Sequence, residues 1–458
     1  MIHLPDGLQF ALTWSIPDNF GGMTSALLHR SRAFVRLADR PVDILTFDAR
    51  DDYPQVEGRL RLRGELIEGM RLLNLWDWLR INPVPTDAPG SLSLDRHVFT
   101  PLAGTAPVVT RYADDGSTVL QVDYHRADGS LLATDRRDTR TPGILGGRSI
   151  VLCDESGEPV RSWGRIWGFY RFWIDLLRQR RPSYLLVDSK TVANFAATYR
   201  RKRAVTMHIV HNSHLQGTEL RESRRDVFEN LGAFDSIVLL TERQRADVVC
   251  LLGPQPNLAV IPNGREVGAR VSLERDVRRG IVLASLTARK RVGHAARAAS
   301  AAGASVDIYG DGDQRAALET MAGPNVVFHG YDANARVQLA DASFLLLTAT
   351  SEGLPLALVE AMAAGCLPIA YDVPYGPSDL IVDGRTGFLV PPGDEVALAA
   401  AIERLLSLPR RTVTRMRRAA MRAARSYSDD AVTRGWATEM RAAAFRKQTA
   451  WAAEHQAG

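Results

Sequence analysis

Short apolar strands alternate with helical segments in two parts of the chain, and this alternation limits the possible folds more than any other feature. Near the start, the strand-like residues 10–14 and 42–46 flank a glycine-containing loop and a helix over residues 24–37. Further along, the strand-like residues 281–284 and 305–309 alternate with helices in the same way. Strand–helix–strand units of this length build parallel sheets. We therefore predict an α/β protein with two doubly wound parallel sheets.

The segment from about residue 106 to 163 follows a different pattern. Leu120, Val122 and Tyr124 alternate with polar residues, as in a strand with one buried face. Turn dipeptides typical of β-hairpins separate such stretches, namely Asp115-Gly116, Asp128-Gly129 and Ser156-Gly157. We predict an antiparallel β-meander here, within a β-rich insert that covers about residues 50–165 of the first domain.

The length of 458 residues exceeds what one compact core accommodates, so two or three domains are expected. The polar, irregular pattern of residues 262–279 indicates a link between domains. We assign residues 1–270 to a first domain, residues 271–435 to a second domain, and residues 436–458 to a C-terminal helix or tail.

The chain carries a net charge of +5, and one predicted helix concentrates the positive charge. Its arginines are Arg410, Arg411, Arg415, Arg417, Arg418, Arg422 and Arg425. Such a surface favours an anionic partner, such as a phosphate polymer or an acidic membrane face, although a merely solvated arginine-rich helix is an alternative. No nucleic-acid-binding motif is recognised, so we expect no nucleic-acid partner.

The cysteines and the apolar segments bear on location. Three widely separated cysteines offer neither a disulfide framework nor a zinc spacing. The first twenty residues do not resemble a secretory signal, and no apolar run approaches the ~20 residues of a membrane span. We expect a cytoplasmic location, with peripheral contact at the inner membrane face and homo-oligomerisation through the β-rich insert as further expectations.

Two carboxylates, Glu352 and Glu360, lie at a strand-to-helix junction. The apolar residues 344–347 precede them, and residues 356–364 are good helix formers. Glu352 therefore falls on the loop, and Glu360 about two turns into the helix. The start of a helix offers free N–H groups and the positive end of its dipole, which together bind phosphate. Carboxylates beside a phosphate site suit a ligand with hydroxyls and phosphates, for which a nucleotide sugar is the natural candidate.

The spacing of these two residues resembles the Glu-(seven residues)-Glu motif of retaining glycosyltransferases with the GT-B fold. This resemblance implies two Rossmann-like domains with a cleft between them, a first glutamate on the donor hexose and a second on the ribose. Ser285 departs from the pattern, because family members usually have an arginine there, five residues before a lysine that is Lys290 in this chain. Residues 371–379 narrow the resemblance to poly(glycerol phosphate) or teichoic-acid α-glucosyltransferases and their protein-glycosylating relatives.

The resemblance also implies roles for individual residues. It implies catalytic roles for Glu352, His211 and Lys290. It implies donor or nucleotide binding by Gly21, Gly22, Glu360, Arg289, Gly310, Gly353, Leu354, Tyr331, Gly376 and Ser378. Basic side chains would neutralise the diphosphate, so we expect no metal and no cofactor besides the nucleotide-sugar substrate. A zinc site at His208, His211 and His214 is disfavoured, because a strand that ends in a loop does not set these positions on one face.

We predict a retaining hexosyltransferase that uses a UDP-sugar donor, either UDP-glucose or UDP-N-acetylglucosamine. The predicted acceptor is a hydroxyl of an anionic cell-wall polymer such as poly(glycerol phosphate) or poly(ribitol phosphate). A protein or glycolipid acceptor, and a non-catalytic partner subunit motivated by Ser285, are the alternatives. A nucleotide-sugar epimerase is disfavoured, because no Gly-x-Gly-x-x-Gly fingerprint follows the first strand.

Overall fold

The computed structural model describes most of the chain, in five ranges: residues 1–83, 99–104, 106–217, 219–266 and 275–456. The predicted boundary between the first and second domains, at residues 270 and 271, lies outside the described residues.

The strands of the described residues are, in chain order, β1 (Leu8–Leu12), β2 (Val42–Thr46), β3 (Met70–Asn74), β4 (Val108–Tyr112), β5 (Val119–His125), β6 (Leu131–Arg136), β7 (Ser149–Cys153), β8 (Pro159–Trp163), β9 (Ser183–Val187), β10 (Ala204–Val210), β11 (Leu215–Gln216), β12 (Glu219–Leu220), β13 (Ser236–Leu239), β14 (Leu258–Val260), β15 (Arg279–Leu283), β16 (Ser305–Tyr309), β17 (Val326–Gly330), β18 (Phe344–Leu347), β19 (Leu367–Tyr371) and β20 (Phe388–Val390).

The α-helices are α1 (Gly22–Ala38), α2 (Tyr53–Leu62), α3 (Leu75–Ile81), α4 (Ile166–Arg178), α5 (Lys190–Ala196), α6 (Arg225–Phe228), α7 (Glu242–Leu252), α8 (Val292–Ala301), α9 (Arg315–Met321), α10 (Leu356–Ala363), α11 (Pro377–Leu380), α12 (Glu395–Ser407), α13 (Arg410–Ala424) and α14 (Asp429–Gln456). Short 3-10 helices lie at Glu222–Arg224, Leu231–Ala233, Ala288–Lys290, Ala335–Ala340 and Arg425–Tyr427. None of the helices in the described ranges is long and apolar enough to cross a bilayer.

The first sheet has seven strands in the order β14-β13-β10-β9-β1-β2-β3. All of its neighbouring strands are parallel. The chain begins near the centre, runs outward to β3, and returns on the other side of β1. Such a reversal opens a crevice at the carboxyl ends of the central strands. The loops after β1, β9 and β10 therefore meet at one edge of this sheet.

The second sheet has six parallel strands in the order β17-β16-β15-β18-β19-β20. Its strand order reverses between β15 and β18, which are direct neighbours. Gly280 on β15 allows this pairing, because a Cβ there would lie 2.4 Å from the ring of Phe344 on β18. The two parallel sheets confirm the predicted α/β class with two doubly wound domains.

The strands β4 to β8 form a separate antiparallel sheet in sequential order, which confirms the predicted meander. It packs on the first domain through aromatic contacts, such as Trp76 stacked on Tyr124 at 3.6 Å between ring centroids. The wider predicted insert over residues 50–165 was wrong in its first part. Residues 53–81 contain α2, β3 and α3, and β3 pairs with β2 in the first parallel sheet.

The last helix, α14, returns from the second domain to the first. The ring centroids of Trp436 and of Phe34 on α1 are 6.2 Å apart. Glu439 accepts a hydrogen bond from the Ser236 hydroxyl at 2.7 Å. Lys447 pairs with Asp235 at 2.9 Å. The helix begins at residue 429 rather than 436, so the predicted boundary cuts through its second turn.

His208 is a buried titratable group in the middle of the first sheet. Its Nδ1 lies 2.8 Å from the carbonyl oxygen of Val187, and its Nε2 has no hydrogen-bond partner among the described residues. Burial lowers the pKa of His208 to about 4. Between about pH 4 and pH 6.5, the imidazole of His208 is therefore neutral in the folded protein and protonated in the unfolded chain.

We expect acid to destabilise the fold partly through His208. The unfolded histidine gains a proton below about pH 6.5, whereas the folded one does so only near pH 4. The free energy of unfolding is thus little affected by this group above pH 6.5, and it falls by roughly 2 kcal/mol between pH 7 and pH 5. Urea unfolding between pH 7 and 5 should show a shallower loss for His208→Asn, which retains a donor for Val187 but does not titrate. Equal losses in both proteins would contradict this assignment.

Candidate active site

The candidate site lies where the loop after β18 of the second sheet meets the end of β10 in the first sheet. A Cβ placed on Gly353 would lie 1.8 Å from the carbonyl oxygen of His211. No side chain fits in that space, so the backbone contact requires glycine at this position. The loop that carries Glu352 is therefore held against the strand end that carries His211.

Lys290 and Glu352, both predicted to be catalytic, are brought together by neighbouring strands. Lys290 follows β15 and Glu352 follows β18, and the lysine Nζ lies 2.5 Å from the Glu352 Oε1. Arg289 lies 3.6 Å from the same oxygen and donates a hydrogen bond to the Ser351 carbonyl at 2.9 Å. One carboxylate thus lies beside two cations at the switch point of the second sheet.

Glu360 projects from α10 and is fixed by a residue that the sequence analysis did not identify. Arg265 donates to the Glu360 Oε1 at 2.8 Å and is itself buried. Its backbone N–H donates to the carbonyl of Tyr427 at 2.9 Å. Arg265 comes from the stretch that the sequence marked only as a link, so no local pattern pointed to it.

His211 belongs to a buried ionic network at the end of the first sheet. Its Nε2 lies 2.7 Å from Asp188, which also accepts two hydrogen bonds from Arg30, at 2.9 and 2.7 Å. Burial would raise the pKa of Asp188, but the Arg30 charge and the hydrogen bonds from His211 and Arg30 outweigh it and hold the pKa below its ordinary value. Asp188 directly follows the apolar strand β9, and this placement is the signal that could have identified it.

The glycines predicted to bind the donor differ in whether the surrounding fold leaves room for a side chain. Among the described residues, a Cβ on Gly21 or Gly22 would meet no atom beyond its chain neighbours within 4 Å, and Gly21 has an ordinary φ of −91°. Gly310 has a φ of +151°, and a Cβ there would lie 1.8 Å from the Ala284 carbonyl. The fold itself requires glycine at 310, whereas the contacts of the described residues do not require it at 21 and 22.

The remaining predicted donor-binding residues are less concentrated around Glu352. The Ser378 hydroxyl accepts from Arg243 of the first domain at 2.8 Å, so it takes part in a contact between the domains. Gly376 has a φ of +104° and packs on Pro355, just before α10. Leu354 is buried, whereas Tyr331 is 73% exposed and follows the edge strand β17.

The histidines considered for zinc have separate surroundings. His208 bonds to Val187 and His211 to Asp188, whereas His214 stacks between Phe228 and Tyr375, at 5.1 and 5.7 Å between ring centroids. Burial lowers the pKa of His214 to about 4. Within the part of the chain that the structure describes, no group of three or more His, Cys, Asp or Glu side chains could hold a metal ion.

Comparison with known proteins explains this arrangement. Residues 281–408 match the family described as Glycosyl transferases group 1. Poly(glycerol-phosphate) alpha-glucosyltransferase of Bacillus subtilis is 22% identical, over 95% of this chain and 75% of its own length. Poly(ribitol-phosphate) alpha-N-acetylglucosaminyltransferase of Staphylococcus aureus is 22% identical, over 83% of this chain and 89% of its own. Residues 281–408 carry a glycosyltransferase domain, and the chain has the GT-B fold.

Two solved structures share the fold. The crystal structure of TarM has a TM-score of 0.71 at 18% identity, covering 95% of this chain and 98% of TarM. The pneumococcal O-GlcNAc transferase GtfA, solved in complex with UDP and GlcNAc, has a TM-score of 0.69 at 17% identity, covering 95% of this chain and 99% of GtfA. At these identities the likeness establishes the fold of the glycosyltransferase.

The open space at Gly22 leads to a prediction about the glycosyltransferase. Gly22→Ala should fold normally, because the added methyl group meets no atom within 4 Å and alanine favours a helix. If the backbone approaches the donor there, UDP-sugar turnover should fall by about 100-fold, since a displacement of about 1 Å has that effect. Gly58→Ala on α2, where a Cβ is equally unobstructed, is the matched control. Full turnover in Gly22→Ala would show that this glycine is a plain helix start.

The buried network leads to a prediction about stability. Asp188→Asn should lower the free energy of unfolding by about 3 kcal/mol or more, because it leaves the buried Arg30 without a charged partner. Asp43→Asn is the control on the same sheet, and it should cost less than about 1 kcal/mol because its partner Arg71 is 69% exposed. Both values can be read from urea unfolding at pH 7. Similar losses of unfolding free energy in the two variants would show that the buried network contributes no more than an exposed ion pair.

Proposed function

We propose that this glycosyltransferase moves a hexose, with retention of anomeric configuration, from UDP-glucose or UDP-N-acetylglucosamine to a hydroxyl of a polyol-phosphate polymer. The observation that carries the proposal is the Lys290–Glu352 pair at 2.5 Å, set against the His211 strand end by the Gly353 contact. It is supported by the relatives named for poly(glycerol phosphate) and poly(ribitol phosphate) as acceptors.

The ribose and the diphosphate of a UDP-sugar have matching groups in the proposed site. The Glu360 carboxylate, oriented by Arg265, would accept hydrogen bonds from the ribose hydroxyls. Lys290 and Arg289 would stabilise the negative charge that develops on the leaving diphosphate. Arg289 would supply the second positive charge that Ser285 cannot, because it already lies 3.6 Å from Glu352.

The proposed mechanism needs no strong general base. The acceptor hydroxyl would attack on the face from which the diphosphate departs, and a leaving phosphate oxygen would take its proton. The new glycosidic bond replaces the bond to the diphosphate, and UDP leaves with the proton. Catalysis then rests on positioning and on charge stabilisation. Glu352 and His211 would hold the hexose in the reactive orientation.

A protein acceptor is the second candidate. It is favoured by the similarity of fold to GtfA, which is named as an O-GlcNAc transferase. The net charge of +5 instead favours an anionic acceptor, because a basic surface attracts a repeating phosphate chain. A cytoplasmic location, peripheral membrane contact and oligomerisation through the antiparallel sheet stay predictions.

Acceptor-stimulated release of UDP tests the proposal directly. Wild-type protein should release UDP from one of the two donors, and poly(glycerol phosphate) should increase that release. Glu352→Gln should lower the rate by at least about 100-fold, which corresponds to roughly 3 kcal/mol of transition-state stabilisation. The control Glu403→Gln changes an exposed glutamate on α12 and should leave the rate unchanged.

Nuclear magnetic resonance of the product would report the anomeric configuration. An inverted product would contradict retention. Release of UDP that does not respond to Glu352→Gln would contradict the assigned role of this residue. Stimulation by a serine-rich peptide and not by poly(glycerol phosphate) would favour the protein acceptor, and no release with either donor would contradict the proposal.

A further inference from the structure

A row of arginines lies along the exposed side of α13 and the residue that follows this helix. Its members are spaced four and three residues apart in turn, which places them on one helix face over about 21 Å. We call this set the arginine row; it consists of Arg411, Arg415, Arg418, Arg422 and Arg425, all of them exposed.

The arginine row has no acidic partner within the described parts of the chain. Some exposed arginines elsewhere have one: Arg61 pairs with Glu57 at 2.6 Å, and Arg201 with Asp175 at 2.6 Å. The helix α13 contains no aspartate or glutamate of its own. The row is therefore an uncompensated line of positive charge.

This charge works against the stability of the helix. Like charges three or four residues apart destabilise a helix by about 0.2–0.5 kcal/mol per pair. Arg411 also lies in the first turn, next to the positive end of the helix dipole, whereas Arg422 in the last turn lies at its favourable negative end. A bound polyanion would remove both penalties, so the row suits a ligand better than it suits the isolated fold.

Arg417, on the opposite side of α13, shows how the fold itself uses an arginine. It is buried and donates to the Gly365 carbonyl at 2.9 Å and to the Ser343 hydroxyl at 2.8 Å. Burial lowers its pKa to about 10. Arg417 therefore does not belong to the basic surface, which corrects the cluster expected from sequence.

The row ends beside the donor side of the candidate site. Arg425 lies two residues before Tyr427, whose carbonyl accepts from the backbone of Arg265 at 2.9 Å. Arg265 in turn holds Glu360, the residue proposed to bind the ribose. The C-terminal end of the row is thus linked, through Tyr427 and Arg265, to the glutamate proposed to bind the ribose.

The surroundings of the row favour a linear polymer over a membrane. Helices that lie in a membrane interface expose large apolar side chains beside their basic ones. In α13 the large apolar residues Val413 and Met416 are buried against the second domain, Met421 is half-buried, and the fully exposed side chains are arginines. Narrow, linear and purely cationic, the row matches a chain of evenly spaced phosphates.

We propose that the arginine row binds phosphate groups of the polyol-phosphate acceptor at a distance from the reacting hydroxyl. The inference rests on the proposed function, since it assigns the acceptor a second binding surface. Contacts with several phosphates would hold the enzyme on one polymer between transfers. A short acceptor could not reach from the cleft to the row, so only long acceptors would gain from it.

The triple variant Arg411→Gln/Arg415→Gln/Arg418→Gln tests the proposal. Its affinity for fluorescently labelled poly(glycerol phosphate) should fall by about tenfold or more, and the slope of log affinity against log salt should decrease by roughly two to three, as for lost phosphate contacts. In UDP release, KM for the long polymer should rise by a similar factor. The kcat, and the KM for glycerol 3-phosphate as a short acceptor, should stay unchanged.

The control removes the same charge elsewhere, in Arg36→Gln/Arg63→Gln/Arg336→Gln, where the three arginines are exposed and without ion pairs among the described residues. Equal losses in the two variants, or unchanged polymer binding in the row variant, would overturn the proposal. Lost binding to phosphatidylglycerol vesicles with intact polymer binding would also overturn it and indicate a membrane contact. Weaker polymer binding by the row variant, with no UDP release by wild type, would support the row while contradicting the proposed function.

Discussion

The backbone contact between Gly353 and the carbonyl of His211 is the constraint on which the site depends. A methyl group at 353 would lie 1.8 Å from that oxygen, so the two domains can meet this closely only at a glycine. The contact places Glu352, one residue earlier, at the end of β10. It thereby joins the Lys290–Glu352 pair of one domain to the Asp188 network of the other.

The carboxylates of the site are each held by a cation. Lys290 lies beside Glu352, Arg265 beside Glu360, and Arg30 beside Asp188 in a fully buried pair. Such partners fix the direction of each carboxylate before a ligand arrives, which lowers the cost of organising the site on binding. The same pairing balances charge inside the cleft, whereas the arginine row on α13 leaves charge uncompensated at the surface. That contrast separates the proposed chemical site from the proposed polymer-binding surface.

Local patterns in the sequence were enough for much of the fold and part of the site. Apolar strands followed by helices indicated two parallel sheets, and the turn dipeptides after residue 106 indicated the meander. The sequence assigned both Lys290 and Glu352 to the site through two separate family patterns, and the structure added that they contact each other directly. The assignment of β3 to the insert failed, since its neighbour in the sheet, β2, lies across a helix and no local signal names that partner.

The sequence by itself determined which residues lie on strands, loops and helices, because side-chain periodicity and turn chemistry act over a few residues. Only the tertiary structure decided the partners of those residues. Arg265 reaches Glu360 across 95 positions, and Arg30 reaches Asp188 across 158. Such pairs form where loops from distant strands converge at one sheet edge, and their geometry depends on packing of the whole domain rather than on any segment. Whether a helix arginine faces solvent or the core depends in the same way on what the rest of the chain packs against it.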